Sequence, residues 1–193
     1  PLDWQRANTA AMEEAHAGSD NWTYFVRSGW GSTGGGAGIA PVLWAGDQNT
    51  DWGEDDGLPS VVPISVHAGA SGLSTFGSDI AGYTSVTVPN TTKELFFRWS
   101  SLGAFHPVMR THHGSDECGN WSFDRDPETL VHFRRYASIH TRLLPLWREL
   151  TADAHETGMP ALRHPMLAAL IDGPLSVGVT GTQPVVYQWR KDG

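Results

Sequence analysis

A short apolar segment, a polar or charged residue just beyond it, and then a longer helical stretch recur about four times along this chain, and no other feature limits its fold so tightly. Residues 22–26 read as a strand that delivers Arg27, and 41–45 as a strand that delivers Asp47. Residues 73–76 read as a short strand ending at Ser78 and Asp79, and 107–109 as a strand ending at Arg110, Thr111 and His112. Asp3 is placed to cap a first helix running to about residue 17, where Gly18 stops it. In the apolar segment 57–70, Pro59 suits a first helical turn, whereas Pro63 would disturb a longer helix. Thr-Thr-Lys-Glu at 91–94 forms a capping box, after which Leu95, Trp99, Leu102 and Phe105 line one helical face. Asp126 and Pro127 open a long helix with Leu130, Phe133, Ala137, Leu144, Trp147 and Leu150 on one side. Pro145 should kink that helix, and Gly158 with Pro160 closes it.

This alternation predicts a parallel β/α fold. In such folds the residues just past the C-terminal ends of the strands form the active face. Arg27, Asp47, Asp79, Arg110 and His112 are all expected there, and that recurrence is the strongest functional signal in the pattern. A complete β/α barrel takes about 250 residues, more than the 193 present. The character changes near the C-terminus, where 175–193 alternates β-branched and polar residues and ends in Trp-Arg-Lys-Asp-Gly. Two readings fit that stretch: the opening strands of an immunoglobulin-like domain, and an ordinary C-terminal hairpin. The chain opens without Met or a signal-peptide pattern and reads as the interior of a longer polypeptide, so its cellular location is not assigned.

Composition narrows the function classes. A formal net charge of -8 argues against nucleic-acid binding, which needs clustered Lys and Arg. The single cysteine, Cys118, allows neither an intrachain disulfide nor a cysteine-based zinc site. No apolar run approaches the length of a membrane span. Nine tryptophans raise the prospect of sugar-stacking platforms, although most Trp in such a chain belong to the core or to strand walls. The glycine-rich stretch 29–38 lacks the Gly-Lys-Ser/Thr ending of a phosphate loop, and no Gly-x-Gly-x-x-Gly opens a helix, so nucleotide and hydride-transfer chemistry is set aside. His106, His112, His113, Asp116 and Cys118 lie close in sequence, but no metal-ligand spacing orders them, and adjacent histidines at a strand end point opposite ways. No metal or cofactor is therefore expected.

Asp47 follows a glycine and is flanked by aromatic residues, in Trp-Ala-Gly-Asp-Gln-Asn-Thr-Asp-Trp at 44–52. Such an aspartate is a general acid if burial raises its pKa, and otherwise an ordinary turn residue. Context favours the former. Phe-Val-Arg-Ser-Gly at 25–29 precedes this run; Gly-Ser-Asp-Ile-Ala-Gly-Tyr at 77–83, Glu-Leu-Phe-Phe-Arg-Trp at 94–99 and Met-Arg-Thr-His-His-Gly at 109–114 follow it in order. Together these motifs resemble glycoside hydrolase family 31, the α-glucosidase and α-xylosidase family, over about residues 2–165.

The resemblance implies an α/β chain forming the latter part of a (β/α)8 TIM barrel over 1–170, with a short β stub or hairpin over 171–193, taken from a retaining α-glycosidase. It implies that Asp47 is the general acid/base. Arg27, Trp44, Gln48, Asp79, Arg110 and His112 would contact or wall the sugar. The family's nucleophile is an Asp in an earlier Trp-x-x-Asp-x-x-Glu-like segment. Asp3 and Asp20 have the wrong neighbours for that role, so the chain is expected to begin after it and to be inactive alone. Residues 44–52, Asp-Asp-Gly-Leu at 55–58 and Met-Arg-Thr-His at 109–112 resemble the sulfoquinovosidase branch. In that branch Tyr83 would help hold the sulfonate, because a tyrosine hydroxyl can donate to a sulfonate oxygen; neutral α-glucosides remain the other substrate reading. A non-catalytic carbohydrate-binding or cell-surface module is the alternative from a different class.

Overall fold

A computed structural model describes residues 2–19, 21–27, 39–167, 175–180 and 186–191. The chain divides into two compact units, Pro1–Leu162 and Arg163–Gly193, each described by itself. The glycine-rich stretch 29–38 lies outside the described residues.

In the first unit, β1 (Phe25–Val26), β2 (Val42–Trp44), β3 (Phe76–Ile80) and β4 (Val108–Thr111) form a parallel sheet in sequence order. Helix α2 (Leu58–Ala70) links β2 to β3, and α3 (Lys93–Gly103) links β3 to β4. The register sets Phe25 beside Val42, Trp44 beside Gly77, and Asp79 beside Arg110. Successive β/α units in this order are the construction of a β/α barrel.

Strand β3 is buried along its whole length. On one face, Ser78 accepts a 3.0 Å hydrogen bond from the Trp99 indole of α3. Ile80 lies so close to Gly103 that a Cβ there would stand 2.9 Å from its Cδ1. Phe76, Ile80, Val61, Leu95, Phe96 and Trp99 make the core between sheet and helices. Because side chains alternate along a strand, Gly77 and Asp79 face the other way, the side that lines a barrel's interior.

Several boundaries differ from the sequence expectations. The third strand is Phe76–Ile80 and not 73–76, so Asp79 and Arg110 sit within paired strands and not beyond them. Residues 71–73 instead close α2, with Ser71 and Leu73 bonding back to His67 and Ala68. Helix α2 continues through Pro63 to Ala70, with Pro59 in its first turn as expected. The cap of α3 is Thr92, whose hydroxyl accepts from Leu95 N, and Thr91 turns elsewhere. Phe105, expected on the apolar face of α3, is exposed beyond its end, and Phe96 is buried instead.

Helix α1 (Leu2–Ala15) begins before Asp3, which pairs with Arg6 instead of capping. The first strand is limited to Phe25–Val26. The long helix expected after Asp126 is two helices, α4 (Pro127–Arg142) and α5 (Leu144–Thr157), parted at Leu143 because Pro145 belongs in a first helical turn. Asp126 caps α4 through a 2.7 Å bond from Thr129 N, and Gly158 ends α5 at φ 79°. In the second unit β5 (Leu175–Thr180) and β6 (Val186–Lys191) pair antiparallel, the strand pair that both readings of 171–193 share.

Candidate active site

The residues past β1 and β2 meet first. Gly46 adopts φ +105°, a left-handed conformation open to glycine, and turns the chain at the end of β2. A Cβ on Gly46 would meet Arg27 Nε at 3.4 Å, an ordinary contact, so the backbone conformation and not crowding calls for glycine here. The turn brings Asp47 to Arg27, whose Nη1 donates to Oδ2 at 2.9 Å. The side chains are 60% and 29% exposed, so this pair contributes at most about 1 kcal/mol to stability; its consequence is orientation. The Arg27 guanidinium also stands 5.4 Å from the Trp44 ring centre.

Arg110 lies 5.4 Å from the same Trp44 ring and 4.7 Å from that of Phe25. Its Nη2 stands 3.0 Å from Oδ1 of Asp79, a fully buried carboxylate. Neither Asp79 oxygen receives a well-directed hydrogen bond, and Arg110 Nη1 and Trp44 Nε1 are also buried without one. Burial pushes the Asp79 carboxyl above the ordinary carboxylate range, while Arg110, His112 and the Trp44 indole pull it back. An unsatisfied buried polar group costs about 1–3 kcal/mol. Arg110 and the Trp44 indole thus turn toward the Asp79 carboxylate, and the Arg110 guanidinium lies against the Phe25 and Trp44 rings.

His112 immediately follows β4. Its Nδ1 accepts the Gly114 N–H at 2.9 Å, so in the neutral ring the proton is on Nε2, the nitrogen left to donate. The ring meets Tyr83 edge to face at 5.0 Å. The structure thus brings together Arg27, Asp47, Trp44, Arg110 and Asp79 in one chain of contacts, with Tyr83 and His112 as a second pair. Gln48 is different. It is buried, and its side-chain amide donates to Ala45 O at 2.9 Å, which bends the segment back on β2.

Sequence reasoning missed the scaffold that holds the three loops together. Gln48 O accepts from both Tyr83 N and Thr84 N, at 2.8 and 2.9 Å. Thr84 Oγ1 donates to Asp47 O at 3.0 Å, and Thr50 N donates to Thr84 O at 3.0 Å. Ser115 N reaches Tyr83 O at 2.8 Å. Thr91 donates its hydroxyl to Ala81 O and its N–H to Asn120 Oδ1. Gly82, at φ +80°, lets two loops touch: a Cβ there would lie 2.7 Å from Asn49 O. Only the left-handed glycines were a visible signal of this bracing.

Among the described residues no three His, Cys, Asp or Glu side chains are grouped to hold a metal ion. His106 is buried against Phe76, their rings 5.7 Å apart, and Cys118 is exposed. No described helix is long and apolar enough to cross a membrane.

Comparison with known proteins agrees with the β/α architecture. Residues 1–150 match the glycosyl hydrolases family 31 TIM-barrel domain. The chain is 40% identical over 163 residues to a sulfoquinovosidase of Escherichia coli strain K12, covering 84% of this chain and 24% of that protein. It is 32% identical to alpha-glucosidase 2 of Bacillus thermoamyloliquefaciens over 124 residues, 63% of this chain and 15% of that one. Among solved structures, a family 31 sulfoquinovosidase from E. rectale, in complex with an aza-sugar inhibitor, superposes with a TM-score of 0.75 at 35% identity. That match covers 83% of this chain and 23% of the other. The chain therefore spans about a quarter of the length of the sulfoquinovosidases it matches.

Proposed function

The chain belongs to the TIM-barrel domain of glycosyl hydrolases family 31, and from that premise we propose that it supplies the proton-shuttling side of a retaining α-glycosidase site. Asp47 is the general acid and base. The observation that carries this reading is the Asp47 carboxylate at the C-terminal end of β2, turned by Gly46 and tethered at 2.9 Å to Arg27 at the end of β1. From Arg27 the contacts run through the Trp44 ring to Arg110 and the buried Asp79.

The chemistry accounts for each residue type. Cleavage with retention passes twice through an oxocarbenium-like transition state, with one carboxyl protonating the departing oxygen and a second carboxylate, about 5 Å away, attacking the anomeric carbon. Arg27 next to Asp47 stabilises the carboxylate left after proton donation. Asp79 accepts from sugar hydroxyls, Arg110 and His112 Nε2 donate to them, and Trp44 walls the ring. The nucleophile is not among the residues of this chain, so the polypeptide works as part of a larger barrel and does not turn over substrate alone.

The substrate is an α-sulfoquinovoside, a reading supported by the higher identity to the sulfoquinovosidase than to the α-glucosidase. Tyr83, held against His112, supplies a hydroxyl for the sulfonate. The test is a side-by-side assay of the full-length protein carrying this domain on chromogenic α-sulfoquinovoside and α-glucoside. A kcat/KM at least about tenfold higher for the sulfoquinovoside, reduced by Tyr83→Phe, is expected from a lost hydrogen bond to a charged group. A preference for the glucoside would remove the sulfonate assignment; no turnover of either would remove the glycosidase reading.

A further inference from the structure

Resting on the assignment of Asp47 as acid/base, we propose that Thr84 is the positioning residue for its proton transfer. General acid catalysis of glycoside cleavage needs one carboxyl O–H aligned on one leaving oxygen. The O–H bond breaks toward that oxygen as the C1–O bond breaks, its electron pair departs with the aglycone, and the second carboxylate bonds to C1. Alignment of this kind is lost through small displacements, and about 1 Å can cost about 100-fold in rate.

The Asp47 side chain is steered by Arg27, but that arginine is itself largely exposed and cannot fix the backbone. The backbone is fixed from the other side. Thr84 Oγ1 donates to the carbonyl of Asp47, and Thr84 N to the carbonyl of Gln48. Both bonds cross from the loop after β3 to the loop after β2, and a parallel bridge between Asn49 and Thr84 continues them. Thr84 is in turn held through its own carbonyl by Thr50 N, and Thr50 Oγ1 reaches Pro89 O at 2.7 Å. With Gly46 in a left-handed turn on one side of Asp47 and Thr84 on the other, the aspartate has one backbone course. The neighbouring Tyr83 shares the same acceptor, Gln48 O, and meets His112 edge to face. A ligand that settles against Tyr83 therefore presses on the segment that holds the acid.

The test uses the full-length enzyme and a series of aryl α-glycosides whose leaving groups span good to poor. Thr84→Val keeps the shape and removes the donor; Thr84→Ser keeps the donor. The expected result is a kcat/KM within about twofold of wild type for the most activated leaving group and a loss of about 10–100-fold for the poorest, restored by Thr84→Ser, because only poor leaving groups depend on protonation. Equal loss across the series, or no loss, would overturn the proposal. Should Thr84→Val fail to fold by its thermal melt, Thr84→Ala is read by the same criterion. Asp47→Asn is run in parallel: if it shows no leaving-group dependence, the acid/base assignment is wrong. If it does while neither Thr84→Val nor Thr84→Ala does, only the role of Thr84 falls.

Discussion

His106 gives the sharpest test of how the sheet is held. It is 3% exposed, packs edge-on against Phe76, and lies just ahead of β4, the strand that carries Arg110. Burial, with the nearby His140 as a smaller cause, pushes its pKa from 6.5 down to about 4. A lowered histidine pKa means that the folded state prefers the neutral ring. Above pH 6.5 neither state is protonated and His106 adds no pH dependence. As pH falls below 6.5 the unfolded chain takes up a proton that the folded chain refuses, so stability declines until about pH 4, where both are protonated. At about 1.4 kcal/mol per pH unit, the interval from 6.5 to about 4 corresponds to a loss of roughly 3 kcal/mol. Urea unfolding of the chain at one fixed protein concentration, from pH 7.5 to 4, compares wild type with His106→Phe. The two curves should run parallel above pH 7 and diverge below 6.5, with wild type losing about 3 kcal/mol more. Parallel curves throughout would refute the buried neutral histidine.

Other consequences are direct. Ala81 is buried at φ 78°, where an L side chain is strained, so Ala81→Gly should stabilise the chain by about 1 kcal/mol, read as a higher urea midpoint. Burial outweighs the pull of Arg110 on the Asp79 carboxylate, so Asp79→Asn should leave the chain no less stable in the same assay, and a loss above about 1 kcal/mol would count against that balance. The sheet face bearing Phe25 and Trp44 is open in this chain, with Phe25 49% exposed, so the isolated 193-residue polypeptide should associate with itself. Light scattering that found only monomer would count against that, and the same preparation should show no glycoside turnover.

The fold was legible where sequence and environment agree. Apolar runs followed by Arg27, Asp47 and His112 marked the mouths of β1, β2 and β4, and Asp126-Pro127 announced α4 correctly. Strand β3 was misplaced because Gly77, Ser78 and Asp79 are poor strand formers. They become strand by burial between helices and the sheet's other face, a tertiary effect that local propensity does not contain. Thr91 and Thr92 are equal candidates for a cap. The choice falls to Thr92 because Thr91 is drawn to Ala81 and Asn120, partners distant in sequence. The same limit hid Thr84, whose importance lies in a bond to the backbone of Asp47 across 37 positions. The places of Arg27, Asp47 and His112 were readable from single motifs, whereas the bracing between loops arises only when the strands are set side by side.

Catalysis by this site depends most on Asp47, and trapping by azide tests that role most directly. In the full-length enzyme, Asp47→Ala removes the base that activates water for the second displacement but leaves the covalent step open to an activated aryl α-glycoside. Azide needs no base: its nitrogen bonds to the anomeric carbon as the enzyme's carboxylate departs. Turnover of Asp47→Ala should rise with azide and yield the α-configured glycosyl azide, identified by NMR. A β-configured azide would make Asp47 the nucleophile, and no azide product with turnover unimpaired would deny it any part in the proton transfers.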